Sequence, residues 1–284
     1  MSRPEFQAPS FAACYRHPDR FTGIRCQRCG KPICGECMTP ASVGFQCPSC
    51  ARSGRASVRA PRTVFGGSLS TRGGLVTKVL IGIVIGLYVL DLIGQGFVSQ
   101  VFAMSGPAVL HGQVWRLVTY GLLSGGLINT LFIALILWSV GRPLEEQFGT
   151  ARYLMLYGAG SVGGATAVFL GFPDYAIGGG AYSAVVGLIA VHTVIKIRRR
   201  EDIRPDLGLF AILILLNLVL GLGQAGGAVG WVSLVGGIIV GGLAAAALVF
   251  PGRQRRAQLQ VLGLLGVVVL CIAAIVVRVA IGFA

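Results

Sequence analysis

Seven apolar runs of about 20 residues follow one another from residue 75 to residue 281. A helix needs this length and composition to cross the hydrocarbon core of a bilayer. Hydrophobic residues make up 54% of the chain and charged residues only 12%, whereas soluble domains carry about 25% charged residues. We therefore expect an all-α polytopic membrane protein. Its predicted spans are roughly 75–96, 117–140, 153–172, 178–196, 207–223, 229–250 and 259–281.

The positions of the basic residues explain the formal net charge of +14. Lys and Arg gather before the first span and then at every second connection, whereas 173–177 and 221–228 have none and 97–116 has only Arg116. The positive-inside rule therefore predicts a multi-pass cell-membrane protein with its N-terminus in the cytoplasm and its C-terminus outside. Because this charge follows the topology, nucleic acid is not expected as a partner, whereas the lipid bilayer is.

Four pairs of metal-binding residue types, each separated by two residues, lie between residues 14 and 50. The pairs are Cys14 and His17, Cys26 and Cys29, Cys34 and Cys37, and Cys47 and Cys50. Eight ligands rich in thiolates predict two tetrahedral Zn²⁺ sites with no open position, which is typical of structural zinc. A disulfide framework is the alternative. The odd cysteine count in this segment and its predicted cytoplasmic location disfavour it.

The spacing of these pairs resembles that of cross-braced B-box and RING fingers. The resemblance implies that Cys14, His17, Cys34 and Cys37 share one ion and that Cys26, Cys29, Cys47 and Cys50 share the other. It also implies a protein partner, which the ligands do not name. We expect the zinc module at 1–51, a basic flexible linker at 52–74, a membrane domain at 75–252 and a C-terminal transmembrane helix at 253–284.

Four stretches of the membrane domain together resemble the rhomboid family, over about residues 75–250. They are VWRLVTYGLL (114–123), LWSVGRPLEEQFGTARYLMLY (137–157), GAYSAVVGL (180–188) and VGGIIVGGLAAAAL (235–248). The pair Trp115 and Arg116 and the run from Gly141 to Glu145 are the more specific parts. The resemblance implies a six-helix core followed by an extra seventh helix. Active rhomboids are intramembrane serine endopeptidases with a Ser at the start of the fourth span and a His in the sixth.

The chain departs from the family at the positions that carry this chemistry. The alignment with the family pattern places Tyr182 at the nucleophile position and Ser183 one residue later, and it places Leu234 at the position of the base. The second-span positions that help hold the oxyanion fall near Ser124, Asn129 and Ile133. Of the last two, Asn129 can still donate a hydrogen bond, whereas Ile133 cannot.

None of the three histidines replaces the missing base in an obvious way. His17 is a predicted metal ligand, and His111 lies in the first outer loop. His192 follows Ser183 by nine residues, about 13.5 Å along a helix and on its opposite face. Lys78 and Lys196 lie near predicted cytoplasmic ends. Because serine needs an adjacent base to act as a nucleophile, a Ser183 site lacks an evident activator.

Two functions follow from these residues. The first is a catalytically inactive rhomboid, a pseudoprotease that binds transmembrane or protein partners, with Ser183 and its neighbouring glycines serving as helix-packing residues. The second is an active rhomboid intramembrane serine endopeptidase with an atypical site at Ser183. A transporter is disfavoured, because the spans contain few ionisable groups to form a pathway.

Overall fold

The structure is a computed structural model that describes residues 11–57, 63, 65, 73–172, 174, 176–177, 179–221, 227–251 and 256–281. The chain forms two compact units, residues 1–60 and residues 61–284.

The first unit is a small module built around its cysteines. Its elements are the hairpin of β1 (Ala12–Ala13) and β2 (Phe21–Thr22), a 3₁₀ turn (Gly35–Cys37), the hairpin of β3 (Thr39–Pro40) and β4 (Phe45–Gln46), and helix α1 (Pro48–Ser57). Five cysteines surround Ile33, which is the one aliphatic side chain among the buried residues of this cluster. A core this small cannot stabilise a fold by apolar burial alone. Helix α1 continues into residues 52–57, which were predicted to belong to the linker.

The second unit is helical. Its helices are α2 (Leu75–Ile93), α3 (Phe97–Phe102), α4 (Gly106–Leu110), α5 (Arg116–Thr119), α6 (Leu127–Ile136), α7 (Arg142–Phe148), α8 (Thr150–Gly171), α9 (Ala181–Arg199), α10 (Arg204–Gly221), α11 (Gly227–Val249) and α12 (Arg256–Ile281). A two-residue antiparallel pair, β5 (Met104–Ser105) and β6 (Ala176–Ile177), joins two of the connections.

Within the described residues, six helical segments are long and apolar enough to cross a membrane. They are α2, the continuous segment Leu127–Phe148, α8, α9, most of α11 and most of α12. Helix α10 covers the fifth predicted run as far as Gly221, and the predicted end of that run at 222–223 lies outside the described residues. The expectation of an all-α polytopic membrane protein is confirmed.

The second span was predicted at 117–140, and this position is wrong. The helix extends from Leu127 to Phe148, while the earlier part of the apolar run forms α5 and a 3₁₀ turn. Gly126 has φ +147°, which side-chain-bearing residues rarely adopt, so the chain changes direction there. Further along, the ring of Pro143 would clash with the carbonyl of Ser139 in a regular helix. A π turn that includes Ser139 joins α6 to α7.

Helices α8, α9 and α11 form the tightly packed centre of the membrane unit through glycines. A Cβ on Gly237 would collide with the backbone of Ser183, and a Cβ on Gly241 would approach the backbone of Gly187 to 2.8 Å. Such backbone contact between helices is possible only where small residues face each other. The glycines therefore hold the first half of α9 rigidly between its two neighbours.

Two polar side chains join outer elements of the membrane unit to one another. Arg116 donates hydrogen bonds to the carbonyls of Ala103 and Gln100, both at 2.8 Å, and thereby closes the first long connection. Glu145 is buried and accepts hydrogen bonds from the backbone N–H groups of Val76 and Thr77 at the start of α2. These free N–H groups and the helix dipole favour a carboxylate at that position.

Candidate functional site

Ser183 lies in the first turn of α9, where the protein interior closes around it. Its side chain is only 1% exposed, and its hydroxyl donates a 2.8 Å hydrogen bond to the carbonyl of Gly180. A Cβ on Gly164 would collide with this hydroxyl, and the ring of Tyr120 lies directly against Gly180. The single hydroxyl proton of Ser183 is thus donated to a backbone carbonyl.

The alignment with the family pattern predicts Tyr182 and Leu234 at the positions of the nucleophile and the base. Tyr182 is buried, and its hydroxyl donates a 2.6 Å hydrogen bond to the carbonyl of Leu213 in α10. Leu234, on α11, is buried in the same apolar cluster as Tyr182. A leucine side chain has no atom that accepts a proton, and the tyrosine hydroxyl already has an acceptor.

A pair of hydroxyl groups that the sequence analysis did not identify lies beside Ser183. Tyr120 and Ser233 are 113 positions apart, and their hydroxyl oxygens are separated by 2.7 Å in the interior. The Ser233 hydroxyl lies 2.9 Å from the position that a Cβ on Gly164 would take. Three hydroxyl groups therefore meet near Gly164. The only sequence signal was that Ser233 precedes the base position, and nothing pointed to Tyr120.

The three predicted oxyanion positions are in different surroundings. Ile133 is fully buried in the apolar core. Asn129 is half-buried in the first turn of α6, beside Gly125. The Ser124 hydroxyl lies 2.6 Å from the hydroxyl of Thr130. Among these three positions only Asn129 carries a side-chain amide that can donate a hydrogen bond.

The two histidines of the membrane unit lie in surroundings that differ from those of Ser183. His111 is exposed at the end of α4. The Nδ1 atom of His192 lies 3.2 Å from both carboxylate oxygens of Asp206, and the Nζ atom of Lys196 lies 2.7 Å from one of them. No hydrogen bond between an imidazole and Ser183 is found among the described residues. The cluster at Asp206 joins α9 to α10, and the sequence analysis did not identify it.

The eight predicted metal ligands of the first unit form two clusters. One contains Cys14, His17, Cys34 and Cys37, and the other contains Cys26, Cys29, Cys47 and Cys50. Within each cluster the ligand atoms lie within 4.8 Å of one another. The structure thus brings the first pair to the third and the second pair to the fourth, which is the partition that the B-box and RING resemblance implies.

The separations between ligand atoms fit a tetrahedral metal site. Bonds of about 2.3 Å between zinc and sulfur place neighbouring sulfur atoms about 3.8 Å apart. The sulfur atoms of Cys29 and Cys47 are 3.7 Å apart, and the Nδ1 atom of His17 lies 3.3 Å from the sulfur of Cys34. A disulfide needs about 2.0 Å between sulfur atoms, and these cysteines are free thiols. Each cluster could hold one metal ion.

The thiols of the first cluster lie close together and therefore differ in pKa. Desolvation opposes ionisation of Cys14, but hydrogen bonds from the backbone of Arg16, Cys34 and His17 lower its pKa to about 6. Desolvation and the neighbouring thiols of Cys14 and Cys34 raise the pKa of Cys37 to about 11. A cation bound among these thiols would favour the deprotonated form of each of them.

The helical fold of the second unit and the two Cys and His clusters of the first unit together define a multi-pass helical membrane protein that carries a small cysteine-rich module. Residues 111–252 match the model of the rhomboid domain. This match covers half of the chain, and the chain belongs to the rhomboid family.

Three bacterial relatives are similar to parts of the chain. It is 32% identical to the rhomboid protease GluP of Bacillus subtilis (strain 168) over 149 residues, which are 52% of this chain and 29% of that protein. It is 30% identical to the putative rhomboid protease YdcA of the same organism over 112 residues, 39% of this chain and 56% of that protein. It is 27% identical to the rhomboid protease GlpG homolog of Cronobacter sakazakii (strain ATCC BAA-894) over 200 residues, 68% of this chain and 70% of that protein. The matches thus span less than two thirds of either Bacillus relative.

Proposed function

We propose that this chain is a catalytically inactive member of the rhomboid family, a pseudoprotease that binds transmembrane segments or other protein partners. The observation that carries the proposal is the pair Tyr182 and Leu234 at the positions of the nucleophile and the base. Serine chemistry needs a hydroxyl activated by an adjacent base. Here the hydroxyl of Tyr182 is bonded to the carbonyl of Leu213, and Leu234 is apolar.

The remaining polar groups do not replace this chemistry. Asn129 can stabilise an oxyanion, but such stabilisation acts on an intermediate that forms only after nucleophilic attack. The hydroxyls of Ser183, Ser233 and Tyr120 near Gly164 are buried together. Neutral hydroxyl groups are weak bases and cannot take a proton from one another at neutral pH. We therefore assign Ser183 to helix packing.

The second candidate function is an active intramembrane serine endopeptidase that uses Ser183. The names of all three relatives, each called a rhomboid protease or its homolog, favour it. It requires the Ser183 hydroxyl to leave the carbonyl of Gly180, and it requires a base such as His111 to approach from the exposed end of α4. Both changes are large for a side chain that is 1% exposed.

For the first unit we propose two structural Zn²⁺ ions, one in each cluster. The ligand set supports zinc, because thiolates and imidazole prefer it to hard cations such as Mg²⁺ or Ca²⁺. We place this module in the cytoplasm on the basis of the positive-inside rule, and we propose that it presents a protein-binding surface there. Residues 1–51 would then be the zinc module and 52–74 the tether to the membrane domain (75–252) and the terminal helix (253–284).

A serine-reactive fluorophosphonate probe tests the central proposal on the full chain in native membranes. We expect no labelling of the wild type, while the GluP relative, treated in parallel, serves as the positive control. Labelling of the wild type that disappears in Ser183→Ala would overturn the proposal and establish the second function. His111→Ala would then show whether that imidazole is the base.

A further inference from the structure

A groove runs along the outside of the helix bundle where α12 meets α8 and α11. Its volume is about 700 Å³, within the range of sites for small ligands. Met155, Gly158 and Val162 of α8 form one wall, and Val261, Leu264 and Val268 of α12 form the other. Met155 and Val268 are more than half exposed, so the groove opens sideways toward the bilayer.

Charged and amide side chains lie at one end of this groove. Arg152, at the start of α8, donates one hydrogen bond to the backbone carbonyl of Phe65 and another, of 3.0 Å, to the side-chain oxygen of Gln260 near the start of α12. The amide of Gln260 in turn donates to the carbonyl of Leu248 in α11 at 2.7 Å. These bonds fix the guanidinium at the mouth of the groove. The groove is therefore amphiphilic, with a positive charge at one end and an apolar channel beyond it.

The length of the groove matches one acyl chain of a lipid. Its walls run from Ala151 to Val162 and from Gln260 to Cys271, which is about 16 Å each at about 1.5 Å per residue. This length equals roughly half of the hydrocarbon thickness of a bilayer, about 30 Å, and therefore the depth of one leaflet.

We propose that this groove binds one anionic phospholipid, with its phosphate at Arg152 and an acyl chain between α8 and α12. Basic pockets between transmembrane helices bind anionic lipid headgroups through charge-assisted hydrogen bonds. The lipid would fill the gap between the rhomboid core and the seventh helix and hold that helix in place.

Native mass spectrometry of the full chain tests this proposal, after release from nanodiscs that contain equal amounts of phosphatidylglycerol and phosphatidylcholine. We expect one retained phosphatidylglycerol per chain. Gly158→Leu should reduce its retention about tenfold, because a leucine there projects into the groove, where a Cβ meets no atom within 4 Å. Gly266→Leu is the matched control, since Gly266 is equally open but lies outside the groove wall.

Arg152→Gln should abolish the preference for phosphatidylglycerol, and Arg142→Gln, which changes an exposed arginine elsewhere, should preserve it.

Three results would overturn the proposal. One is equal retention in Gly158→Leu and Gly266→Leu, which would place the lipid elsewhere. Another is retention of phosphatidylcholine as often as phosphatidylglycerol in the wild type. The third is retention of a free fatty acid or detergent in place of a phospholipid. All of these readouts are independent of whether the chain hydrolyses peptide bonds.

Discussion

The hydroxyl of Tyr182 donates a 2.6 Å hydrogen bond to the carbonyl of Leu213 and thereby joins the first turn of α9 to α10. The residue predicted at the position of the rhomboid nucleophile thus joins two helices in this chain. Because both groups are buried, the bond gains strength from its apolar surroundings, and losing one partner costs the desolvation of the other.

Tyr182→Phe removes only this hydroxyl and keeps the ring in the core. We expect the free energy of unfolding in mixed micelles to fall by about 1 kcal/mol. The matched control is Tyr88→Phe, which makes the same change on α2 at a half-buried position and should alter the free energy by less than about 0.5 kcal/mol. An equal effect of both substitutions would show that the bond to Leu213 does not stabilise the protein.

The sequence predicted the helices but not the helix boundaries that depend on special backbone geometry. Apolar runs show which segments cross a membrane, because lipid leaves the backbone no partner outside the helix. The second span was misplaced by about ten residues at its start, because residues 117–123 are mostly apolar and extend the apolar run ahead of the helix. The turn at Gly126 and the π turn before Pro143 carry no hydropathy signal.

The candidate site was predictable where its groups are close in sequence. The spacing of two residues within each Cys or His pair identified the residues of the two clusters, while the partition of the pairs came from the B-box and RING resemblance. The contact of Tyr120 with Ser233 joins residues 113 positions apart, and the contact of Glu145 with Thr77 joins residues 68 apart. Neither leaves a local pattern, because the packing of whole helices brings each pair together.

The orientation in the membrane is a prediction from the distribution of Lys and Arg. We expect a cysteine introduced as Asp174→Cys to react with a membrane-impermeant maleimide in intact cells and Glu201→Cys to react only after lysis. Both positions are exposed, and the Cys271→Ser background removes the thiol of α12. Mass spectrometry of the labelled peptides distinguishes them from the thiols of the first unit. Labelling of Glu201→Cys in intact cells would reverse the proposed topology.

The carboxylate of Glu145 should contribute strongly to stability. It is 2% exposed and accepts a 2.9 Å bond from the N–H and a 2.8 Å bond from the hydroxyl of Thr77. Glu145→Gln replaces one accepting oxygen with a donor, so we expect the free energy of unfolding to fall by about 2 kcal/mol. Glu146→Gln is the control, because its side chain is 51% exposed and pairs only with Arg142 among the salt bridges of the described residues. We expect a change below about 0.5 kcal/mol there, and equal losses in the two variants would refute the capping role.

The proposed zinc content can be measured directly. We expect two zinc atoms per purified chain by elemental mass spectrometry and about one in Cys34→Ser, because a cluster that loses one of its four ligands holds zinc much more weakly. Cys271→Ser, which removes the one cysteine outside the two clusters, should still bind two.

A strong chelator should make residues 11–57 exchange their amide hydrogens rapidly while the helices of the second unit stay protected. Zinc-free protein that keeps slow exchange in 11–57 and forms disulfides would favour the disulfide framework.

Substitutions at Ser183 separate a packing role from a catalytic one. Ser183→Ala removes a hydroxyl that donates to the carbonyl of Gly180 and lies beside the hydroxyl of Tyr120, and the alanine fits the same space beside Gly164. We expect the free energy of unfolding to change by less than about 1 kcal/mol and any cellular phenotype to stay intact. Ser183→Leu must displace α8, because the hydroxyl already occupies the space where a Cβ on Gly164 would lie. Overpacking in a closely packed core costs about 1–3 kcal/mol and more where backbones touch. Loss of the phenotype in Ser183→Ala at unchanged abundance and melting temperature would mean that the hydroxyl itself acts, and the packing role would then be wrong.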